Sequence, residues 1–291
     1  MKRKQVKKNT YTSRQIFIKK FMKNKLAVVG SLIIIVFVIM AIFAPIFATF
    51  DPNTTDLLNI RTSPNKVHIL GTDDLGRDIF SRLLYGGRVS IAVGVASMML
   101  QILIGVTIGV IAGYFGGLID KIIMRIVDII MCFPFFVIAI ALAAVIGGSI
   151  TNLVLIIGML MWPVITRIVR GEVLVTKQNE YILAAKALGF NTFEIIIHHI
   201  IPNIISAILV SSTLCIAQGI LMEATLSFLG LGVNPPTPSW GNMLVAAQNM
   251  SVLSHKWWMW IPAGMSVVLI VLSVNFVGDG LRDALDVEKS V

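Results

Sequence analysis

Apolar residues along this chain gather into six long runs separated by shorter polar stretches. A helix needs about 20 predominantly apolar residues to cross roughly 30 Å of hydrocarbon. Runs near 26–48, 89–112, 122–146, 151–169, 204–228 and 260–278 reach that length. The pattern predicts an all-α membrane protein with six spans in one domain. The connections 49–88 and 230–259 are rich in Pro, Gly, Asn and Asp, as ordered loops are. No internal repeat or low-complexity tract is evident. The long first connection makes the span at 26–48 the peripheral element and leaves 89–278 as a five-helix core.

Composition agrees with the solvent that the pattern implies. With 56% hydrophobic and 13% charged residues and a mean hydropathy of +0.87, a soluble domain would expose far too much apolar surface. The net charge of +9 belongs to one segment: residues 1–25 hold ten Lys or Arg and no acid. A basic tail directly before an apolar run reads as a cytoplasmic flank attracted to anionic lipid rather than as a nucleic-acid arm. The run at 26–48 exceeds the usual h-region of a signal peptide, about 7–15 residues, and reads as a retained span.

From a cytoplasmic N-terminus, 49–88 and 230–259 fall outside, 170–203 falls inside, and 279–291 forms a cytoplasmic C-terminal tail. Lys121, Arg125, Arg167, Arg170, Lys177 and Lys186 then sit at inner boundaries, and Trp240, Trp257, Trp258 and Trp260 at the outer interface. Arg77, Arg82 and Arg88 lie on the outer side against this trend. Interleaved with Asp73, Asp74 and Asp78, they read as a paired, folded surface. Cys132 and Cys215 both lie in apolar runs and imply no disulfide framework.

The segment 170–203 is semi-polar between two apolar runs. Glu180 to Leu188 has a helical pattern with a small patch at Ala184 and Ala185, and Gly189 can end it in a left-handed conformation. Asn191 or Thr192 can cap a second short helix running through His198. Pro202 then fixes the direction in which the fifth span begins. Helix, sharp turn and second helix, held on two membrane arms, make a lever.

Ala184, Ala185, Gly189 and Pro202, with Gly and Pro thirteen positions apart, resemble the EAA loop in the permease subunits of bacterial ABC importers. Leu183 stands where that family usually has Glu, and Glu180 is close enough to substitute for it. "HILGTDDLGRDIFSRLLYGGRVS" (68–90) and "LSFLGLGVNPPTPSWGNML" (226–244) resemble the corresponding segments of C-type permeases of oligopeptide, dipeptide and nickel importers. The resemblance covers essentially the whole chain. It implies a type I importer permease fold, a bacterial inner-membrane location and a heterodimer with a second, homologous permease. It also implies one or two cytoplasmic ATPases, which bind ATP and Mg, and an extracytoplasmic substrate-binding protein. No G-x-x-x-x-G-K-[ST] occurs here, so the phosphate cradle must come from a partner and the chain is not itself an enzyme.

Several side chains are candidates for function. Phe190 and Phe193 are apolar anchors for ATPase docking or pack within the permease itself. His198 and His199 point about 100° apart on a helix and make a poor chelate; a place near a helix C-terminus explains them better. Arg125 and Asp128, three apart, can pair on one face. Glu223 could face the pathway or the partner permease, since ionisable residues within spans are functional candidates. Gln101, Asn152 and Asn275 add polar points in three other spans. Gly94, Gly105, Gly109 and Gly113, with Ala92, Ala96 and Ala112, read as close-packing surfaces. "GTDDLGRD" reads as a rigid cap over the bundle, and Trp240, Pro235 and Pro236 as either loop packing or a contact for the binding protein.

A secondary carrier should show mid-membrane charges or inverted repeats, and a scaffold needs no lever between spans. The sequence therefore favours an ABC importer permease. Short peptides are the expected substrate, with nickel or a nickel chelate as the alternative.

Overall fold

The protein is described here by a computed structural model covering residues 13–285. The first twelve residues of the basic tail and the last six of the C-terminal tail lie outside the described residues. The helices are α1 (Ser13–Lys23), α2 (Lys25–Ile42), α3 (Ala44–Phe47), α4 (Ile79–Phe115), α5 (Gly117–Cys132), α6 (Phe135–Ile146), α7 (Ile150–Thr176), α8 (Glu180–Ala187), α9 (Thr192–Ile195), α10 (Ile201–Phe228), α11 (Trp240–Leu244), α12 (Met250–His255) and α13 (Ile261–Leu285). Among the described residues no strand forms. Five helices among the described residues are long and apolar enough to cross a membrane, or six if α5 and α6, which pass together but are bent, count as one span.

Three predicted boundaries shift, each for a local reason. The second span begins at Ile79 rather than near 89. Asp78 caps α4 by accepting from the Ser81 N–H at 2.8 Å, and the buried Arg82 guanidinium donates to the Pro52 carbonyl at 3.0 Å. The polar first turns of α4 are thus satisfied by the preceding loop. The third span is broken: α5 and α6 meet at a 79° bend at Phe133 and Pro134. The fifth span does not start at Pro202, because Thr192–Phe228 forms one continuous helix. A π-turn at Ile196–Ile200, closed by the Ile201 N–H on the Ile196 carbonyl, precedes the proline and accommodates its missing donor. Accordingly His198 and His199 lie within this helix rather than at its end. The His198 Nδ1 is 3.2 Å from the Glu194 carbonyl.

The core is built on α4 and α7. A Cβ on Gly105 would lie 2.6 Å from that of Ile165, and one on Gly109 2.9 Å from the Thr166 carbonyl. Gly113 meets Val173 in the same way, so three glycines one turn apart let the two backbones touch. Gly94 does the same against Ile220 of α10. α13 packs on α10, and α2 lies along α13 with most of its surface open, as expected of a peripheral span.

Two ends of the bundle follow from these contacts. Asn24 bonds Asp283, and α7, α10 and α13 converge at Glu172, Ser206 and Arg282, so the described chain ends and the 177–191 segment share one end. The loops 43–78 and 229–260 share the other. These are the terminal end and the loop end below.

Candidate functional site

At the terminal end, α8, a tight turn and α9 form a projecting knuckle. Gly189 turns the chain at φ +86°, with nothing within 4 Å of where its Cβ would be. Asn191 caps α9 by accepting from the Glu194 N–H at 2.8 Å, and Glu194 reciprocates by accepting from the Asn191 N–H at 3.0 Å. This capping box stiffens the turn. Ile182, Ala185 and Ile195 are buried, and Ile182 and Ile195 pack with Val169 and Val173 of α7. Glu180, Ala184 and Pro202 are exposed. The Phe190 ring leans edge-on to His199, at 6.0 Å between centroids, while Phe193 is 72% exposed. The knuckle therefore buries one aliphatic face and presents an aromatic one.

Two clamps hold its base. Arg170 of α7 makes a bidentate pair with Asp120 of α5 at 2.5 and 2.6 Å, and Lys177 donates to the Gly113 carbonyl at 2.7 Å. Sequence reasoning placed these cations at a membrane boundary but missed the partners, which lie 50 and 64 residues away.

Glu223 faces neither the outside of the bundle nor any cavity. It is 0% exposed, and its carboxylate accepts from the Ser90 hydroxyl of α4 at 2.7 Å and from the Ser227 hydroxyl at 2.8 Å. Ser90 Oγ in turn accepts from the Trp240 N–H at 3.1 Å. Glu223 thus joins α4, α10 and α11, because a buried carboxylate needs several donors. Its two neighbours are hydroxyls that a sequence reading passes over as weakly polar.

Trp240 is likewise corrected. It is 1% exposed, donates its indole N–H to the Leu83 carbonyl at 3.0 Å and meets Phe37 edge-on. Such burial withdraws it from the surface offered to a docked protein and from the interfacial belt. Pro235 and Pro236 are exposed at the loop end. Gln101 is buried, with its Nε2 lacking a partner, and Asn275 is half-buried. Asn152 uses its amide on the Ile146 and Gly147 carbonyls, tying α6 to α7.

The pairing expected between Arg125 and Asp128 does not form. Asp128 binds Arg167 of α7 at 2.5 Å, because their helices run side by side. The loop-end cap does form as a charge network. Arg77 pairs with Asp73 at 2.7 Å, Arg82 approaches the same carboxylate at 3.6 Å, and Arg61 binds Asp74. His68 is buried beneath this network; its Nδ1 lies 3.0 Å from Asp78 and its ring packs on Phe50.

An all-helical bundle with a broken span and a capped knuckle between its fourth and fifth crossings has a counterpart among known proteins. Residues 105–289 match the family described as the binding-protein-dependent transport system inner membrane component. This chain belongs to that family. Residues 12–64 also match the N-terminal TM domain of oligopeptide transport permease C. Similar proteins include the oligopeptide transport system permease protein OppC of Bacillus subtilis (strain 168), 43% identical over 92% of this chain and 87% of that protein. The dipeptide transport system permease protein DppC of Alkalihalophilus pseudofirmus is 44% identical over 92% and 88%. The glutathione transport system permease protein GsiD of Shigella flexneri serotype 5b is 42% identical over 93% and 89%. The chain is therefore a permease of an ABC importer, a multi-pass inner-membrane protein with the type I permease fold.

Proposed function

We propose that this permease carries short peptides into a bacterial cytoplasm. The observation that carries the substrate class is chemical. Relatives named for oligopeptide, dipeptide and glutathione transport share cargo built from amino acids joined through amide bonds. In this reading the terminal end is cytoplasmic, in keeping with the basic tail and the cations at 121–186. A homologous permease completes the pathway, an external binding protein delivers cargo at the loop end, near Pro235 and Pro236, and cytoplasmic ATPases bind ATP and Mg.

The knuckle is the coupling element. Phe193, exposed, and Phe190, half-open, are aromatic anchors of the kind that fill a partner's pocket. Gly189 sets their angle, with Glu180 and Ala184 beside them. Thr192–Phe228 is continuous for 37 residues, about 55 Å at 1.5 Å per residue. A push on the knuckle therefore moves one rod from the ATPase to the Glu223 joint at the loop end, instead of being lost at a hinge at Pro202. Closure of the ATPases would shift this rod against α4 between inward and outward states.

Uptake decides the substrate: cells with and without this gene are given a labelled oligopeptide and, separately, labelled nickel with a chelator. Loss of peptide uptake alone is expected. Loss of nickel uptake alone would overturn the peptide reading and leave the coupling reading intact. Phe193→Ala should weaken ATPase binding tenfold or more, equivalent to about 1.4 kcal/mol, with the permease's melting temperature unchanged because the ring has little to lose on the permease side.

A further inference from the structure

Of the arginines that break the charge trend at the loop end, Arg61, Arg77 and Arg82 belong to the cap network. Arg88 does not. It is exposed on α4 and pairs with no carboxylate among the described residues. Its guanidinium carbon lies 5.7 Å from the centroid of the Tyr85 ring, one turn earlier on the same helix. A stacked cation of this kind is oriented but not neutralised.

The surface beside it is apolar. Arg88 stands at one end of a groove between α2 and α4, with walls of Val38, Ala41, Ile42, Ile91, Ala92 and Val95. Beyond the groove the exposed face of α4 continues through Met99 and Leu103. From Arg88 to Leu103 this strip runs about 22 Å at 1.5 Å per residue.

The depth of the cation follows from α2. Its 18 residues rise about 27 Å, close to the roughly 30 Å of hydrocarbon. Lys25 begins α2 at the terminal end, and Ile42, its last residue, lines the groove together with Arg88. Arg88 therefore lies where hydrocarbon meets headgroups, and the groove descends from it into the hydrocarbon. A charge at that level without a protein counter-ion is matched by the phosphate of a lipid.

We infer that the groove between α2 and α4 is a binding site for an anionic phospholipid, with the lipid phosphate on Arg88 and an acyl chain along Val38, Ala92 and Val95. The planar guanidinium fork fits two phosphate oxygens at once. A zwitterionic lipid brings its own cation to that phosphate, so the unneutralised arginine favours a headgroup of net negative charge. The bound lipid joins the peripheral helix α2 to the core helix α4. Its assignment to the outer leaflet rests on the orientation proposed above.

The test uses the complete transporter in phosphatidylcholine vesicles that contain a trace of phosphatidylglycerol with a diazirine in one acyl chain. After illumination the adducts are mapped by mass spectrometry. Labelling is expected within 38–42 and 91–95, and added phosphatidylglycerol should compete it away while the same amount of phosphatidylcholine does not. Arg88→Gln should lower it about tenfold, as loss of a charge-assisted hydrogen bond does. Arg88→Lys keeps the charge without the fork and should fall between. Ala92→Trp, at an exposed position, should block labelling by filling the groove with Arg88 intact. Unchanged melting temperatures in detergent show that these variants fold.

Equal competition by phosphatidylcholine, or full labelling in Arg88→Gln, would reduce the groove to unselective lipid-facing surface and overturn the inference. Adducts elsewhere on the permease but none in the groove would mean that another subunit covers it, which also overturns it. Supplying the photoactive lipid to a single leaflet reads the orientation separately. Labelling only from the leaflet facing the ATPases would uphold the lipid site and overturn the outward placement of the loop end alone.

Discussion

Glu223 shows how one residue changes meaning once its neighbours are known. As a lone acid near the end of a span it pointed to the pathway or a partner; in place, it is buried at the loop end of the bundle and accepts hydrogen bonds from Ser90 and Ser227. Glu223→Ala should strand two buried hydroxyls and destabilise the fold by about 1–3 kcal/mol, read as a drop in melting temperature in detergent. Glu223→Gln keeps acceptor capacity and should cost much less. A Gln variant that melts normally but fails to transport would contradict the structural role. The side chain could not be assigned from sequence because its partners are serines 133 residues before and four residues after it, and serine carries no signal of burial. Asp128 teaches the same lesson: Arg125 is near in sequence, yet Arg167 is near in space.

At the level of elements, helix existence was legible and helix ends were not. Apolar runs located the five long apolar helices and the bent pair α5 and α6, but α4 starts ten residues before its run because Asp78 caps it and a loop carbonyl satisfies Arg82. The glycines of α4 were read correctly as packing surfaces. Gly109→Val would drive a side chain into the Thr166 carbonyl and Val169 and should cost about 1–3 kcal/mol by overpacking, seen as lost expression or melting temperature. Gly189 offers the contrasting case. Open space surrounds it, so Gly189→Val should suffer only the penalty of a left-handed backbone, about 1–2 kcal/mol, confined to the knuckle. Pull-down of the ATPase should fall in that variant while the bundle melts normally, and Gly189→Asn should retain most binding, since Asn tolerates this conformation. Equal binding by all three would remove the turn from the coupling argument.

Over the whole molecule, one continuous helix joins the knuckle at one end to a buried joint at the other, and the bent pair α5 and α6 stands beside α7. Legible from the residue order alone were the solvent, the all-helical class, the long apolar helices, the knuckle with its glycine turn, and the resemblance that family membership bears out. These are decided by local quantities: the length of an apolar run, the charge flanking it, the capping and turn preferences of a few residues. Packing in three dimensions makes Trp240 and Glu223 core, sets Asp120 against Arg170, keeps Pro202 inside a helix and puts a break at Pro134. Each of those depends on which helices lie side by side and at what depth. Two prolines in apolar surroundings look alike in sequence. A π-turn keeps Pro202 within a continuous helix, whereas α5 stops before Pro134 and α6 begins after it at a different angle.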